Sequence, residues 1–211
     1  MTDYDVVVVG AGAAGMMCAA QAGQRGRRVL LVEHYHVVGE KIRISGGGRC
    51  NFTNVNAGPA NYLSQNPDFC RSALARYTPA HFVRLVERHG IAYHEKKLGQ
   101  LFCDDTALDV VAMLKDECAR GNVQWRVPCA VTGVTREGAR FAVATAQGHV
   151  HCTSLVIATG GLTVPKIGAT PFGYRIAEQF GLAVVPPRPA LVPLAFAPEA
   201  LARYVDLVGV S

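Results

Sequence analysis

Residues 6–15 read Val6-Val7-Val8-Val9-Gly10-Ala11-Gly12-Ala13-Ala14-Gly15. Four apolar residues without polar alternation are the pattern of a strand covered on both faces, as in a parallel sheet between helices. Three glycines spaced G-x-G-x-x-G follow at once. The run Ala13 to Arg25, rich in Ala and Met, reads as a helix, with Gly15, Ala19 and Ala22 as a stripe of small residues packed close to the sheet. A second apolar run, Val29 to Val32, ends at Glu33, eighteen residues after Gly15. Strand, glycine turn, helix, strand and acidic residue make a βαβ unit with the spacing of a dinucleotide fingerprint. Gly10 permits the tight turn. Gly12, through its freedom in φ and its lack of a side chain, lets a pyrophosphate approach. Gly15 lets the helix settle on the strand, and the helix N-terminus faces the phosphates. Glu33, at a strand end open to ligand, accepts hydrogen bonds from ribose hydroxyls.

Working outward, a third apolar run, Leu155 to Ala158, ends in Thr159-Gly160-Gly161 and reads as another strand buried on both faces. Residues 34–58 read as a long glycine-rich connection. A helix is expected from Pro67 to about Arg76. Thr78-Pro79 is the cap and first position of the next, in which Phe82, Leu85, Val86 and His89 share a face and Gly90 is the stop. A further helix is expected from about Asp105 to Ala119, capped by Asp104, Asp105 or Thr106. Residues 123–151 read as an antiparallel meander, with turns at Glu137-Gly138 and Gln147-Gly148, that feeds the third apolar strand. A helix around Tyr174 to Phe180, a proline-rich run from Pro186 to Pro189 and a strand-like segment at Leu207 to Ser211 complete the chain. Ending in a strand without a closing element, it reads as a fragment of a longer protein.

The chain has 211 residues and a net charge of +5. Its basic residues come in twos and threes, such as Arg27-Arg28 and Lys96-Lys97, which favours an anionic small ligand over a nucleic-acid arm. Seven cysteines with no C-x-x-C pair exclude a disulfide framework and a zinc site as the reading, leaving reduced thiols in the cytoplasm. No basic, apolar leader precedes the first strand, and no apolar run is long enough to span a bilayer. His34, His36, His89 and His94 lack ligand spacing, so no metal is expected.

A second glycine cluster reads Lys41-Ile-Arg-Ile-Ser-Gly-Gly-Gly-Arg-Cys-Asn51, then Phe52-Thr53-Asn54. Three glycines can lie flat against a ring or phosphate, with Lys41, Arg43 and Arg49 supplying charge. By composition alone it is equally well a solvent loop. Thr159-Gly160-Gly161 offers another close backbone approach, at the carboxyl edge of the sheet where ligands of such sheets bind.

Taken together, Gly10-x-Gly12-x-x-Gly15, Glu33, Ser45-Gly-Gly-Gly-Arg-Cys-Asn51, Thr53-Asn54 and Ala158-Thr-Gly-Gly161 resemble the BaiN/YhiN-type family of NAD(P)/FAD-dependent flavoproteins, some described as aminoacetone oxidases or flavin reductases. The resemblance runs over essentially the whole chain. It implies a glutathione-reductase-like FAD-binding Rossmann domain, α/β in class, with a helical insertion and a β-meander, cut short at its C-terminal end. Residues 1–196 would be its first part and 197–211 the start of an inserted substrate-side domain, in proteins about twice this length. FAD is the implied cofactor. Gly10, Gly12, Ala13, Ala14 and Gly15 would hold its pyrophosphate and Glu33 its ribose. Ala130 and Val131 would offer backbone to the adenine. Lys41, Gly46, Gly47, Gly48, Arg49, Cys50 and Asn51 would line the flavin, with Thr159 and Gly160 touching the cofactor from the third strand. Gly168-Ala-Thr-Pro-Phe-Gly173 departs from the family by lacking an aspartate.

The implied activity is FAD-dependent oxidoreduction of a small-molecule substrate, NAD(P)H-linked or oxidase-type, with no catalytic acid or base assigned and no nucleic-acid or membrane partner. Three alternatives stand beside it: a NAD-only dehydrogenase, since Glu33 suits NAD equally, a flavin-dependent RNA-modifying or RNA-binding protein, and a non-catalytic FAD module. A lone Cys50 would lack the second thiol of a redox pair.

Overall fold

The structure is a computed structural model that describes residues 2–189, 197–201 and 203–204. Its elements begin with β1 (Thr2–Val9), α1 (Ala13–Gln24) and β2 (Val29–Val32). Next come α2 (Glu40–Ile44), β3 (Asn51–Asn54), α3 (Arg71–Arg76), α4 (Pro79–Arg88), β4 (Tyr93–Glu95), β5 (Gln100–Cys103) and α5 (Leu108–Arg120). Then follow β6 (Gln124–Arg126), β7 (Val131–Glu137), β8 (Arg140–Thr145), β9 (Gly148–Ile157), α6 (Phe172–Gln179) and α7 (Pro198–Leu201). Contacts divide the chain into two units, 1–176 and 177–211.

The first unit is built on a six-stranded sheet of order β6-β2-β1-β9-β8-β7. Its first four strands are parallel, with Val6 opposite Val29 on one side and Ser154 on the other. β9, β8 and β7 form the antiparallel meander. This is the doubly wound pattern expected from the valine runs. Val7, Val8, Leu31 and Met16 are fully buried, because β1 and β2 are covered on both faces. The third apolar run differs: Leu155, Val156 and Ile157 are only half-buried. It is also one strand with the last arm of the meander rather than a separate element.

Four further expectations are corrected. Gln124–Arg126 belongs to the parallel sheet, pairing with β2 through Leu31 and Trp125, and not to the meander. Residues 34–58 are not one loop: they hold α2, a 3-10 turn over Ser45–Gly48, and β3. β3, β5 and β4 form a second, antiparallel sheet, so the insertion is mixed α/β rather than helical. Its core is the ring cluster of Phe52, Phe82 and Tyr93, with Phe52 edge-on to Tyr93 at 5.6 Å. The small-residue stripe of α1 is Gly15, Ala19 and Gly23, all buried, whereas Ala22 is half-buried. Gly23 packs directly on Gly121 at the end of α5.

Helix starts follow the capping chemistry in part. Thr78 opens α4 through a reciprocal pair with His81, whose Nδ1 accepts from Thr78 N at 3.0 Å. The helix expected at Pro67 begins at Arg71 instead. α5 starts three residues later than expected. Thr106 Oγ1 accepts from Leu108 N at 3.2 Å, while Asp104 is drawn away to His94 Nδ1 at 2.6 Å.

One buried carboxylate joins three helices. Glu117 of α5 accepts from Gln24 Nε2 of α1 at 2.9 Å, pairs with His89 Nε2 after α4 at 2.8 Å and meets Arg120 at 3.1 Å. Burial pushes its carboxyl up, but the hydrogen bonds from Gln24 and His89 and the Arg120 charge outweigh that and hold it below the ordinary 4.5. Its stabilising share is therefore fully present above the unfolded-state value and is lost as pH falls through the lowered folded value. Glu117→Ala should cost about 2–3 kcal/mol, since the partners are left unpaired, and should flatten the acid limb of stability against pH. Urea unfolding of both proteins at neutral and acid pH checks this; identical acid limbs would show that the carboxylate is not coupled to folding.

The second unit holds the last turn of α6, a run through Pro186–Pro189 without regular secondary structure, and α7. Residue 196, where a domain boundary was expected, and the strand expected at Leu207–Ser211 lie outside the described residues.

Candidate functional site

The carboxyl ends of β1, β2 and β9 open onto a cavity of about 560 Å³, within the ordinary range for a cofactor site. The turn after β1 forms its floor. Gly10 has φ +105°, and a Cβ there would lie 2.5 Å from Ala158 O. A Cβ on Gly15 would overlap Gly10 O. These two glycines are demanded by the protein's own backbone. Gly12 is not: its φ of −83° suits any residue, and an added Cβ would meet nothing within 4 Å. The expected need for φ freedom at Gly12 is thus corrected. What remains is space above a helix N-terminus, the shape an anionic ligand would fill.

Ala11, Gly12, Ala13, Ala14, Glu33, Lys41, Cys50, Asn51, Thr159 and Gly160 line this cavity with Gly10. Gly15 lies beneath the turn. Ala130 and Val131 line a second, smaller cavity of about 220 Å³ that shares Gly10, Glu33 and Thr159 with the first. Gly46, Gly47, Gly48 and Arg49 line neither. They form an exposed 3-10 turn with all three glycines at positive φ. A Cβ on Gly46 would strike Phe102 at 2.8 Å, while Gly47 and Gly48 face open space.

Glu33 is held rather than open. Its Oε2 accepts from Ala11 N and its Oε1 from Tyr35 N, both at 2.8 Å, and His34 Nδ1 lies 2.9 Å from Oε1. One carboxylate so ties the glycine turn to the loop after β2. Glu33→Ala should weaken binding of an adenine dinucleotide by about 1–3 kcal/mol and also loosen that turn. Calorimetric titration with FAD reads the first effect; an unchanged dissociation constant would count against the ribose role.

Across the cavity, Lys41 Nζ donates to Thr163 Oγ1 at 2.8 Å and lies beside Gly160, bridging α2 to the loop after β9. Cys50 is buried with φ +51°. Cys103, which sequence spacing did not connect to it, runs alongside: Cys103 N donates to Arg49 O at 2.9 Å. Burial pushes both thiols up, Cys103 to about 11 with the neighbouring Cys50 adding to it. Both stay protonated and weak as nucleophiles. Sequence reasoning also missed Phe52 and Phe82, which give the cavity an aromatic wall, and Gly168, which at φ +88° fits beneath His34. The signal for Phe82 was present in the apolar face of α4, read there only as core.

A parallel sheet with a glycine turn, a ligand-sized cavity at its carboxyl edge and an acidic residue ending β2 defines an α/β Rossmann-like fold. Glycine oxidase from Geobacillus kaustophilus shares it, with a TM-score of 0.56 and 17% identity over 80% of this chain and 58% of that one. The chain belongs to the family described as HI0933-like protein Rossmann domain, whose model matches residues 4–200. It is 54% identical over its whole length to the ribosomal RNA dihydrouridine synthase of Escherichia coli, covering 53% of that protein. The enzyme of the same name from Haemophilus influenzae is 50% identical over 93% of the chain and 50% of the relative. The likeness to 3-dehydro-bile acid delta(4,6)-reductase of Clostridium scindens is more distant, 25% identity over 89% of the chain and 46% of the relative. The chain thus spans about half the length of the curated relatives it matches. Relatives at 54% and 50% identity that act on ribosomal RNA overturn the expectation of no nucleic-acid partner. Pairs of basic residues are too weak a signal to exclude one. Among the described residues, no helix is long and apolar enough to cross a membrane.

Proposed function

We propose that this chain is the FAD-binding part of an enzyme that reduces uridine in ribosomal RNA to dihydrouridine. The observation that carries the reading is 54% identity, over the whole chain, to a protein named for that reaction. The cavity supports the cofactor half of it, because Gly12 has a glycine's emptiness without a backbone reason for glycine. The small-molecule substrate expected from sequence gives way to the RNA-modifying alternative.

The reaction adds a hydride and a proton across the C5=C6 bond of uracil, and bound FAD, reduced by NAD(P)H, would supply the hydride. The chain's own residues do the holding. The N–H groups at the start of α1 would receive the pyrophosphate over Gly12, and Glu33 the ribose once its carboxylate turns from Ala11 N. Ala130 and Val131 would flank the adenine in the smaller cavity. Lys41, Asn51, Thr159 and Gly160 would border the ring end. Cys50 faces that end as a neutral thiol, and Phe52 and Phe82 keep one wall apolar, which excludes water.

The test uses the full-length protein, in vitro transcribed ribosomal RNA and NADPH or NADH. Mass spectrometry of nucleosides should show uridine gaining two hydrogen atoms, with oxidation of the dinucleotide in step. A yellow protein that reduces no uridine but oxidises NAD(P)H with a small acceptor would overturn the RNA reading.

A further inference from the structure

The basic residues are scattered along the chain but not evenly balanced. Residues 40–100 hold nine Lys and Arg against four Asp and Glu, a surplus of five; the rest of the chain holds twelve of each. The entire net charge of +5 therefore resides in α2, the glycine turn and the insertion. Ion pairs take up few of the cations on either side of that division: outside the segment Arg120 meets Asp116 at 3.0 Å and Arg140 meets Asp3 at 2.9 Å. In the segment, Arg43 pairs with Glu40 and Arg71 with Asp68. Arg49, Arg76, Arg84, Arg88, Lys96 and Lys97 are exposed, and none of them forms an ion pair among the described residues.

None of these cations lines the cavity, but Arg49 and Lys96 adjoin elements that do. The glycine turn touches Phe102 through Gly46, and Lys96 Nζ sits 5.5 Å over the Phe102 ring. The Lys96–Leu98 turn is tied to the end of β3, since Asn54 Nδ2 donates to Leu98 O at 3.0 Å. β3 itself begins at Asn51, whose side chain and that of Phe52 line the cavity. Leu98, in the same turn as Lys96 and Lys97, is 81% exposed, and elsewhere in the segment Leu63 is 94% and Phe69 82% exposed.

We infer that this face, centred on Arg49, Lys96, Lys97 and Leu98, is the surface on which ribosomal RNA docks beside the cavity. The inference rests on the RNA-reducing function proposed above. Its chemistry is charge complementarity: cations without an ion pair track phosphates, and the guanidinium plane of Arg49 offers a face for an unstacked base. A uracil inside a helix cannot reach a buried cofactor and has to be turned out, so the phosphates flanking it must be gripped near the cavity mouth.

The experiment compares three full-length proteins: wild type, Lys96→Glu/Lys97→Glu, and Arg25→Glu/Arg27→Glu. The last is a charge-matched control on exposed residues outside the segment. Affinity for a ribosomal RNA fragment is measured by filter binding over a range of salt. Lys96→Glu/Lys97→Glu should bind about ten- to a hundredfold more weakly at low salt, with a shallower salt dependence, and the control should change little. FAD content should be that of wild type in all three. Equal losses in both variants, or a Lys96→Glu/Lys97→Glu protein that binds like wild type, would overturn the surface while leaving the RNA reading in place. A wild type that binds no RNA, or that takes up phosphatidylglycerol vesicles instead, would overturn both.

Discussion

Gly12→Val in the full-length protein is expected to purify without flavin yet remain folded. The backbone at Gly12 is extended, and an added side chain meets no protein atom within 4 Å. Valine is comfortable in that region of φ/ψ, so stability should change by less than about 0.5 kcal/mol. Its two methyl groups would stand where a pyrophosphate has to lie against the first turn of α1. Loss of that contact should weaken FAD by at least about a hundredfold, roughly 3 kcal/mol. Flavin absorbance of the purified protein and its urea midpoint are the paired readouts. A yellow, stable variant would show that no phosphate rests on this turn.

Gly15→Ala should do the reverse. Alanine is worth about 1 kcal/mol more than glycine inside a helix, and position 15 is helical. That gain is overwhelmed, because the new methyl would overlap the carbonyl oxygen of Gly10 and lie 3.4 Å from the Ala158 side chain. α1 would have to lift from β1, and a net loss of about 2–4 kcal/mol is expected. Flavin loss would follow from unfolding rather than cause it. Urea unfolding of Gly15→Ala beside Gly12→Ala separates the two: equal midpoints would refute the assignment of one glycine to packing and the other to ligand space.

The contrast marks where sequence reading reached and where it stopped. The βαβ unit was legible because its signals are close together: an unbroken valine run, glycines at fixed offsets and an acid at the end of β2. β6 was not legible, for Gln124-Trp125-Arg126 is only three residues long and pairs with β2 some ninety positions away. The small sheet was hidden for the same reason. β3, β4 and β5 are three or four residues each, too short to show a period. Glu33 follows β2 as expected, but that its carboxylate is held by Ala11 N and Tyr35 N rather than open could not be read from spacing. The neighbourhood of Cys50 and Cys103 follows from a strand pairing that no spacing rule contains.

The two glycine contacts on α1 have a mechanical consequence. Gly15 seats one end of the helix on the β1 turn, and Gly23, eight residues or about 12 Å further on, seats the other on Gly121 of the neighbouring helix. At these two points the helix meets its neighbours through backbone, so a side chain added at either would push it off its seat. The turn at its tip is thus shaped by the protein's own backbone contacts. The far seat is equally tight, since a Cβ on Gly23 would lie 2.3 Å from Gly121 O.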